Sequence, residues 1–198
     1  MINDMKKITL LLFAIVFYQG HSQATNKISA AVFQENIHYE YKSLNQFNPG
    51  GEIGLTWKTK EKKFITKEFN TYLGGYYHRK VQTAIYLRAE YLYRFRYLRP
   101  LSFDLFGGLG YMHTFYPGNL YEQNDNGDFE DINQLGRPHA IGNIGIGVSI
   151  ANSSRWEPFA KFEWMLQTPF ANGIPVVPHS FLKIGINFKL EKNEEVRN

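Results

Sequence analysis

The 198-residue chain lacks cysteine altogether. This absence excludes disulfides, thiolate metal sites, cysteine nucleophiles and anchoring of a lipoprotein through an N-terminal cysteine. The chain also has little excess charge of one sign, because 22 Lys and Arg oppose 18 Asp and Glu for a net charge of +4. The basic residues are too few and too scattered to indicate a nucleic-acid partner. After residue 24 no apolar run is long enough for a membrane-spanning helix, which needs about 18 or more uncharged residues.

Aromatic residues and glycine are plentiful instead, at 16% and 17 residues respectively. The hydrophobic content of 43% and the charged content of 20% exclude an intrinsically disordered chain. The length fits a single domain, and no linker-like segment divides it.

The first 24 residues have the layout of a secretory signal peptide. Lys6 and Lys7 precede an apolar run from Ile8 to Phe17, and small residues follow it. The run spans only about 15 Å as a helix, roughly half of a bilayer core, so an uncleaved membrane anchor is disfavoured. We predict cleavage after Ala24, with 22 and 23 as alternative positions, followed by a barrel over residues 25–190 and a polar tail over 191–198.

Beyond this segment apolar residues recur with a period of two, which indicates β-strands. Eight such runs are present: Asn36–Lys42, Glu52–Lys58, Glu68–His78, Ala84–Tyr97, Leu101–Thr114, Ala140–Ile150, Glu157–Gln167 and Phe181–Leu190. The connections between them alternate, with tight turns at one end and mostly longer segments, up to Tyr116–Pro138, at the other. This pattern predicts an all-β fold, an eight-stranded antiparallel up-and-down transmembrane β-barrel with both termini on the short-turn side.

The strands of a soluble lipocalin-like barrel would also alternate between apolar and polar residues, but with the apolar face inside. The volume of the barrel interior decides between the two arrangements. The eight runs place about 31 large apolar side chains on one face, whereas a comparable closed barrel core takes about twelve. The apolar face is therefore expected to meet lipid, with glycines inside making room for long Arg and Lys side chains. Charges of both signs share that inner face and are predicted to pair with one another. They are Glu40, Glu52, Glu68, Arg88, Glu90, Arg94, Arg96, Asp104, Lys161, Glu163 and Lys183.

The strand count and the Gly-rich strands Phe106–Tyr111 and Gly142–Val148 resemble the small eight-stranded outer-membrane proteins, the OmpA-transmembrane and OmpX-like class, in the form common among Bacteroidota. The resemblance implies a location in the cell outer membrane, contact with its lipid and lipopolysaccharide, and a possible envelope protein partner. Members of the class commonly end at an aromatic residue of the last strand. Here Phe188-Lys189-Leu190 is followed by a polar tail, and no peptidoglycan-binding domain is expected.

The longest outer loop is acidic and is the best candidate for contacts outside the cell, because loops on a rigid scaffold usually carry recognition. Its acidic residues are Glu122, Asp125, Asp128, Glu130 and Asp131. Oxygen ligands at this density could hold Ca²⁺, but their spacing does not match an EF-hand loop. We therefore predict a solvated acidic loop and no metal or other cofactor.

Some barrels of this size modify lipid A, which requires a His and a Ser two positions apart on one strand face, with a carboxylate beside the His. None of the five histidines after the signal segment is followed at that spacing by a nucleophile. His179 immediately precedes Ser180, and neighbours on a strand point to opposite faces, so only a loop-borne triad with Ser180 stays open. We predict that the protein is not an enzyme. Its expected role is structural or interactive, through its outer loops or as a small subunit of an envelope complex, and a lipid A- or phospholipid-modifying enzyme is the alternative.

Overall fold

The computed structural model describes residues 27–38, 47–79, 81–98, 100–116, 120–123, 127–132, 136–150, 155–170 and 175–190. Ten strands lie within these ranges. No helix that is long and apolar enough to cross a membrane is found among these residues. The strands are β1 (Lys27–Asn36), β2 (Pro49–Glu61), β3 (Ile65–His78), β4 (Gln82–Leu98), β5 (Leu101–Phe115), β6 (Leu120–Gln123), β7 (Phe129–Ile132), β8 (Arg137–Ile150), β9 (Trp156–Thr168) and β10 (Val177–Lys189).

Eight of the strands form one closed antiparallel barrel in the order β1-β10-β9-β8-β5-β4-β3-β2. Successive barrel strands pair with each other, with β5 pairing to β8 across the separate β6–β7 sheet. Strand β1 closes the barrel by pairing with β10, from Lys27 opposite Lys189 to Asn36 opposite Ser180. Closure leaves no free sheet edge, so the ladder hydrogen bonds are satisfied within the protein even in a solvent without water. The predicted fold class and strand number are confirmed.

The first strand does not lie where the sequence pattern placed it. We predicted Asn36–Lys42, but β1 ends at Asn36 and begins nine residues earlier, at Lys27. The prediction was wrong because alternation is weak in this strand: Phe33 points into the barrel and is buried, whereas Val32 faces outward and is 61% exposed. Residues 39–42 lie outside the described part of the chain.

The long outer connection between β5 and β8 contains secondary structure that we did not predict. Strands β6 and β7 pair as a separate two-stranded sheet in which Glu122 lies opposite Glu130 and Tyr121 opposite Asp131. The barrel strand β8 then begins at Arg137, so Pro138 belongs to the strand rather than to the loop. The acidic loop residues are therefore held partly on a small sheet outside the barrel.

The strands turn their apolar face outward, as the volume argument predicts. Along β8 the burial alternates, so that Ile144 is 58% exposed and Ile146 44%, while Ser149 is 1% exposed. The other barrel strands carry exposed large apolar residues at matching heights, for example Leu109 at 74% and Ile184 at 61%. A closed barrel with an outward apolar band and a polar interior is the arrangement of a transmembrane β-barrel.

The interior glycines make room for Arg and Lys side chains, as predicted, at Gly110 and Gly147, and at more positions they make room for aromatic rings. A Cβ added at Gly145 would lie 2.3 Å from the Phe106 ring, and one at Gly54 would lie 2.5 Å from the Tyr72 ring. A Cβ added at Gly147 would instead meet a lysine side chain, with Lys161 Cγ at 2.7 Å. The glycines therefore make room mainly for aromatic rings inside the barrel, and these rings in turn surround the cations.

Candidate functional site

The middle of the barrel is filled by a layer of three cations and three carboxylates, which we call the central layer. Its members are Glu52, Arg88, Glu90, Lys161, Glu163 and Lys183. Glu52 Oε2 lies 2.8 Å from Lys183 Nζ and 3.1 Å from Arg88 Nη2, and it accepts a hydrogen bond from the Tyr86 hydroxyl at 2.7 Å. Glu163 bridges the same two cations from the opposite wall. The formal charges of the layer cancel, as the burial of so many ions requires.

Aromatic rings enclose the cations of the central layer. The Arg88 guanidinium carbon lies 4.9 Å from the centre of the Tyr72 ring. Lys161 Nζ lies 4.6 Å from the Phe106 ring and 5.1 Å from the Phe159 ring, while its carboxylate contact, with Glu90, is the longer one at 3.6 Å. Ring faces attract a desolvated cation, so the rings replace part of the hydration that Lys161 loses inside the barrel.

A second neutral group, the inner layer, lies toward the end of the barrel that holds the short turns. Arg94 donates from Nε and Nη2 to the two carboxylate oxygens of Asp104, at 2.8 and 3.1 Å. Lys27 Nζ joins Glu68 at 2.6 Å and Glu157 at 3.1 Å. With Lys189, which lies 2.8 Å from Glu157, this layer also contains three cations and three carboxylates.

Toward the longer loops the interior combines uncharged polar side chains and one Glu–His pair with a buried apolar cluster that includes Met112, Met165 and Phe181. His179 Nδ1 lies 2.8 Å from Glu35 Oε1, and its Nε2 lies 2.9 Å from Gln167 Oε1. The Gln82 amide continues the chain of contacts by donating to Gln167 and to the Tyr76 hydroxyl, at 2.8 and 2.7 Å. We call these five residues the outer layer. The three layers and the apolar cluster together fill the described lumen with side chains.

The structure brings together nine of the eleven residues that the sequence assigned to the lumen. These are Glu52, Glu68, Arg88, Glu90, Arg94, Asp104, Lys161, Glu163 and Lys183, all of them buried. Arg96 is a correction: it pairs with the exposed Glu61 at the barrel rim, at 3.1 Å. Arg96 lies near the end of β4, beside an irregularity in the pairing of β4 with β5 between Phe95 and Leu98, and its side chain is 19% exposed. Glu40 lies outside the described residues.

Several interior residues escaped sequence reasoning. Lys27 and Glu35 lie on the strand that was misplaced, and His179 lies before the predicted start of the last strand. Glu157 was recognised only as the first residue of a strand. Burial does alternate along β1, but apolar Ala31 and Phe33 lie on its inner face, so the hydropathy pattern of the sequence conceals that alternation.

The acidic loop is only partly described. The backbone of Glu122 lies in β6, and that of Glu130 and Asp131 lies in β7, while Asp128 is exposed. Asp125 lies outside the described residues. No group of three or more His, Asp or Glu side chains suited to a metal ion is found among the residues that the structure describes.

The sequence left open a loop-borne triad with Ser180, but the structure places His179 and Ser180 on strand β10 rather than on a loop. The ring of His179 is engaged by Glu35 and Gln167, and the Ser180 Oγ is buried without a hydrogen-bond partner. His139 Nε2 lies 2.7 Å from the Thr114 hydroxyl, and its Nδ1 contacts the Pro169 carbonyl. The Thr114 hydroxyl belongs to a fully buried residue inside the barrel, so its access to a lipid substrate is blocked.

No protein-family model matches the chain, and no curated protein does so either. Solved structures of small outer-membrane barrels are similar to it in fold. The crystal structure of Neisserial surface protein A (NspA) has a TM-score of 0.54 and 14% identity, over 83% of this chain and 96% of that one. The N-terminal β-barrel domain of Pseudomonas aeruginosa OprF has a TM-score of 0.45 and 17% identity, over 84% and 100%. The outer membrane enzyme PagL has a TM-score of 0.48 and 13% identity, over 83% and 99%.

The chain therefore has the fold of the small eight-stranded outer-membrane barrels. A closed barrel of this kind with an apolar outer band is a protein of the cell outer membrane. The Bacteroidota form of the class stays a prediction from the sequence, as do the signal peptide and the polar tail.

The central layer predicts a large stability difference between two Glu→Gln substitutions. Glu52→Gln should lower the free energy of unfolding by about 3 kcal/mol or more, because it leaves Arg88 and Lys183 short of a carboxylate in a buried site. Glu61→Gln, which removes an exposed rim carboxylate paired with Arg96, should change it by less than about 1 kcal/mol. Urea titration of the refolded barrel in detergent micelles measures both. Equal effects of the two substitutions would contradict the buried ion-pair assignment.

Proposed function

We propose that this protein is a non-conducting outer-membrane barrel that acts through its surface rather than through its lumen. Its role is structural or interactive, through the outer loops or as a small subunit of an envelope complex, in contact with outer-membrane lipid and lipopolysaccharide. The observation that supports this most directly is the central layer, in which cations, carboxylates and rings occupy the cross-section of the barrel.

A pore is disfavoured by the same layer. Eight strands enclose an interior that side chains fill, whereas aqueous channels are found with sixteen or more strands. Here Arg88 is 2% exposed and Lys183 is fully buried, and each of them is held by carboxylates from two different strands. Moving either side chain aside would break more than one ion pair, so a thermal fluctuation that opens a path for solutes is costly.

The outer connection between β5 and β8 is the part best suited to recognition. It extends beyond the barrel as the β6–β7 sheet, and its acidic residues give it a charge unlike that of the inner turns. A rigid barrel that presents a small sheet on one rim is a scaffold of the kind on which binding loops are usually carried.

Conductance in a planar bilayer tests the sealed interior. The purified barrel should give no discrete current steps under conditions in which a sixteen-stranded porin does so. Reproducible steps whose ion selectivity changes in Arg88→Gln would show that ions pass through the lumen and would contradict the proposal.

We further propose that the protein is not an enzyme. The Thr114 hydroxyl contacts the His139 imidazole, and both residues are buried inside the barrel. A nucleophile acting on acyl chains would have to meet the lipid face. On that face Tyr111 and His113 are in mutual contact at 2.9 Å, and neither of them is a serine, threonine or cysteine nucleophile.

Acyl-chain release tests this directly. The barrel reconstituted with lipopolysaccharide, or with phospholipid, should release no fatty acid above the level of empty vesicles. Release that disappears in Thr114→Ala, His179→Ala or Ser180→Ala, while the variants remain folded, would establish the enzyme alternative instead.

A further inference from the structure

The lipid-facing side of the inner rim carries an unusual pair of like charges. In the pairing of β2 with β3, Lys60 lies directly opposite Lys67. Glu68 and Thr66, the neighbours of Lys67, are buried, so Lys67 and its partner Lys60 project on the outer side of the sheet. Like charges directly opposite each other destabilise a sheet. The arrangement therefore calls for an anion that interacts with both.

No such anion from the protein lies beside these two lysines among the described residues. In the part of the chain that the structure describes, neither Lys60 nor Lys67 has a carboxylate within ion-pairing distance. The carboxylate of the adjoining turn, Glu61, is directed to Arg96 at 3.1 Å. Two further exposed lysines, Lys62 and Lys63, lie in the same turn and add to the positive charge.

The depth of this cluster in the membrane is fixed by its aromatic neighbours. The next outward residue of β3 toward the barrel centre is Phe69, which is 37% exposed and belongs to the apolar band. Lys67 Nζ lies 4.9 Å from the Tyr93 ring, and Lys63 Nζ lies 5.2 Å from the ring of Phe64, which is 47% exposed. Tyrosine at the edge of the apolar band marks the membrane–water interface, and lysine stems extend along apolar surface to place their charge there.

We propose that Lys60 and Lys67, with Lys62 and Lys63, bind the phosphate of an anionic phospholipid headgroup in the inner leaflet of the outer membrane. The site rests on the proposed membrane barrel and on its orientation, in which the short turns face the periplasm. A phosphate between the two opposed lysines converts a repulsive cross-strand pair into a bridged one. A lipid fits better than a soluble polyanion, because the cations lie at the border of the apolar band and not on a loop in open water.

The experiment uses the full barrel in nanodiscs of phosphatidylcholine with a minor fraction of phosphatidylglycerol, with native mass spectrometry to count the lipids that remain bound. Wild type should retain phosphatidylglycerol in preference to phosphatidylcholine. In Lys60→Gln/Lys67→Gln that preference should fall about tenfold or more, since each lysine near an anionic surface contributes roughly a fivefold factor. Lys60→Arg/Lys67→Arg should keep most of it.

Two controls separate this site from general electrostatics. Arg79→Gln/Arg137→Gln removes two charges from the opposite rim and should leave the lipid preference unchanged. Lys60→Gln should stabilise the barrel in pure phosphatidylcholine, where it relieves repulsion, and destabilise it in phosphatidylglycerol, where it removes a ligand of the phosphate.

Three results would overturn the proposal: no preference in wild type, an equal loss in the opposite-rim variant, or the same sign of the Lys60→Gln effect in both lipids. Binding of soluble polyglutamate to barrels in neutral nanodiscs, without competition by phosphatidylglycerol, would instead assign the cluster to a soluble polyanion. Any of these outcomes, obtained with a folded and membrane-inserted barrel, would overturn the lipid site but leave the proposed sealed scaffold intact. Failure of the lipid site is therefore distinguishable from failure of the proposed function.

Discussion

The narrow interior of an eight-stranded barrel is the constraint on which the rest of this structure depends. Closing the sheet satisfies the backbone in lipid but leaves room for few side chains. The bulky aliphatic residues of the chain must therefore lie outside. The polar residues that alternate with them must lie inside, where their charges have to cancel. The central and inner layers meet that condition with three cations and three carboxylates each.

The same constraint limits which surfaces other molecules can reach. Arg88 and Lys183 are buried and share carboxylates across the lumen, whereas the apolar band and the two rims are exposed. The rims differ in chemistry. The outer rim carries the acidic β6–β7 connection, whereas the inner turn between β2 and β3 exposes lysines at the edge of the apolar band. A barrel with two different rims can hold lipid at one and a partner at the other.

The sequence was sufficient for the fold class, for the outward direction of the apolar face and for most of the lumen charges, because strong alternation, as in β4, fixes which side chains share a face. It failed where alternation is interrupted. Phe33 points inward and concealed β1, and Arg96 lies at the rim beside an irregularity in the pairing of β4 with β5. The contact of His179 with Glu35 could not be predicted, because it spans 144 positions and exists only once β1 closes on β10. The rings around Lys161 likewise come from three strands.

Cysteine labelling tests the central claim most directly, since the chain has no cysteine of its own. Ile146→Cys and Ser149→Cys lie on the same strand, and the side chain of the first is 44% exposed while that of the second is 1% exposed. A fluorophore at position 146 should be quenched strongly by lipid-attached quenchers, and Cys at position 149 should resist labelling until the barrel is unfolded. The opposite pattern, with position 149 quenched by lipid and position 146 protected, would contradict a barrel that turns its apolar face to the membrane and its charges to the axis.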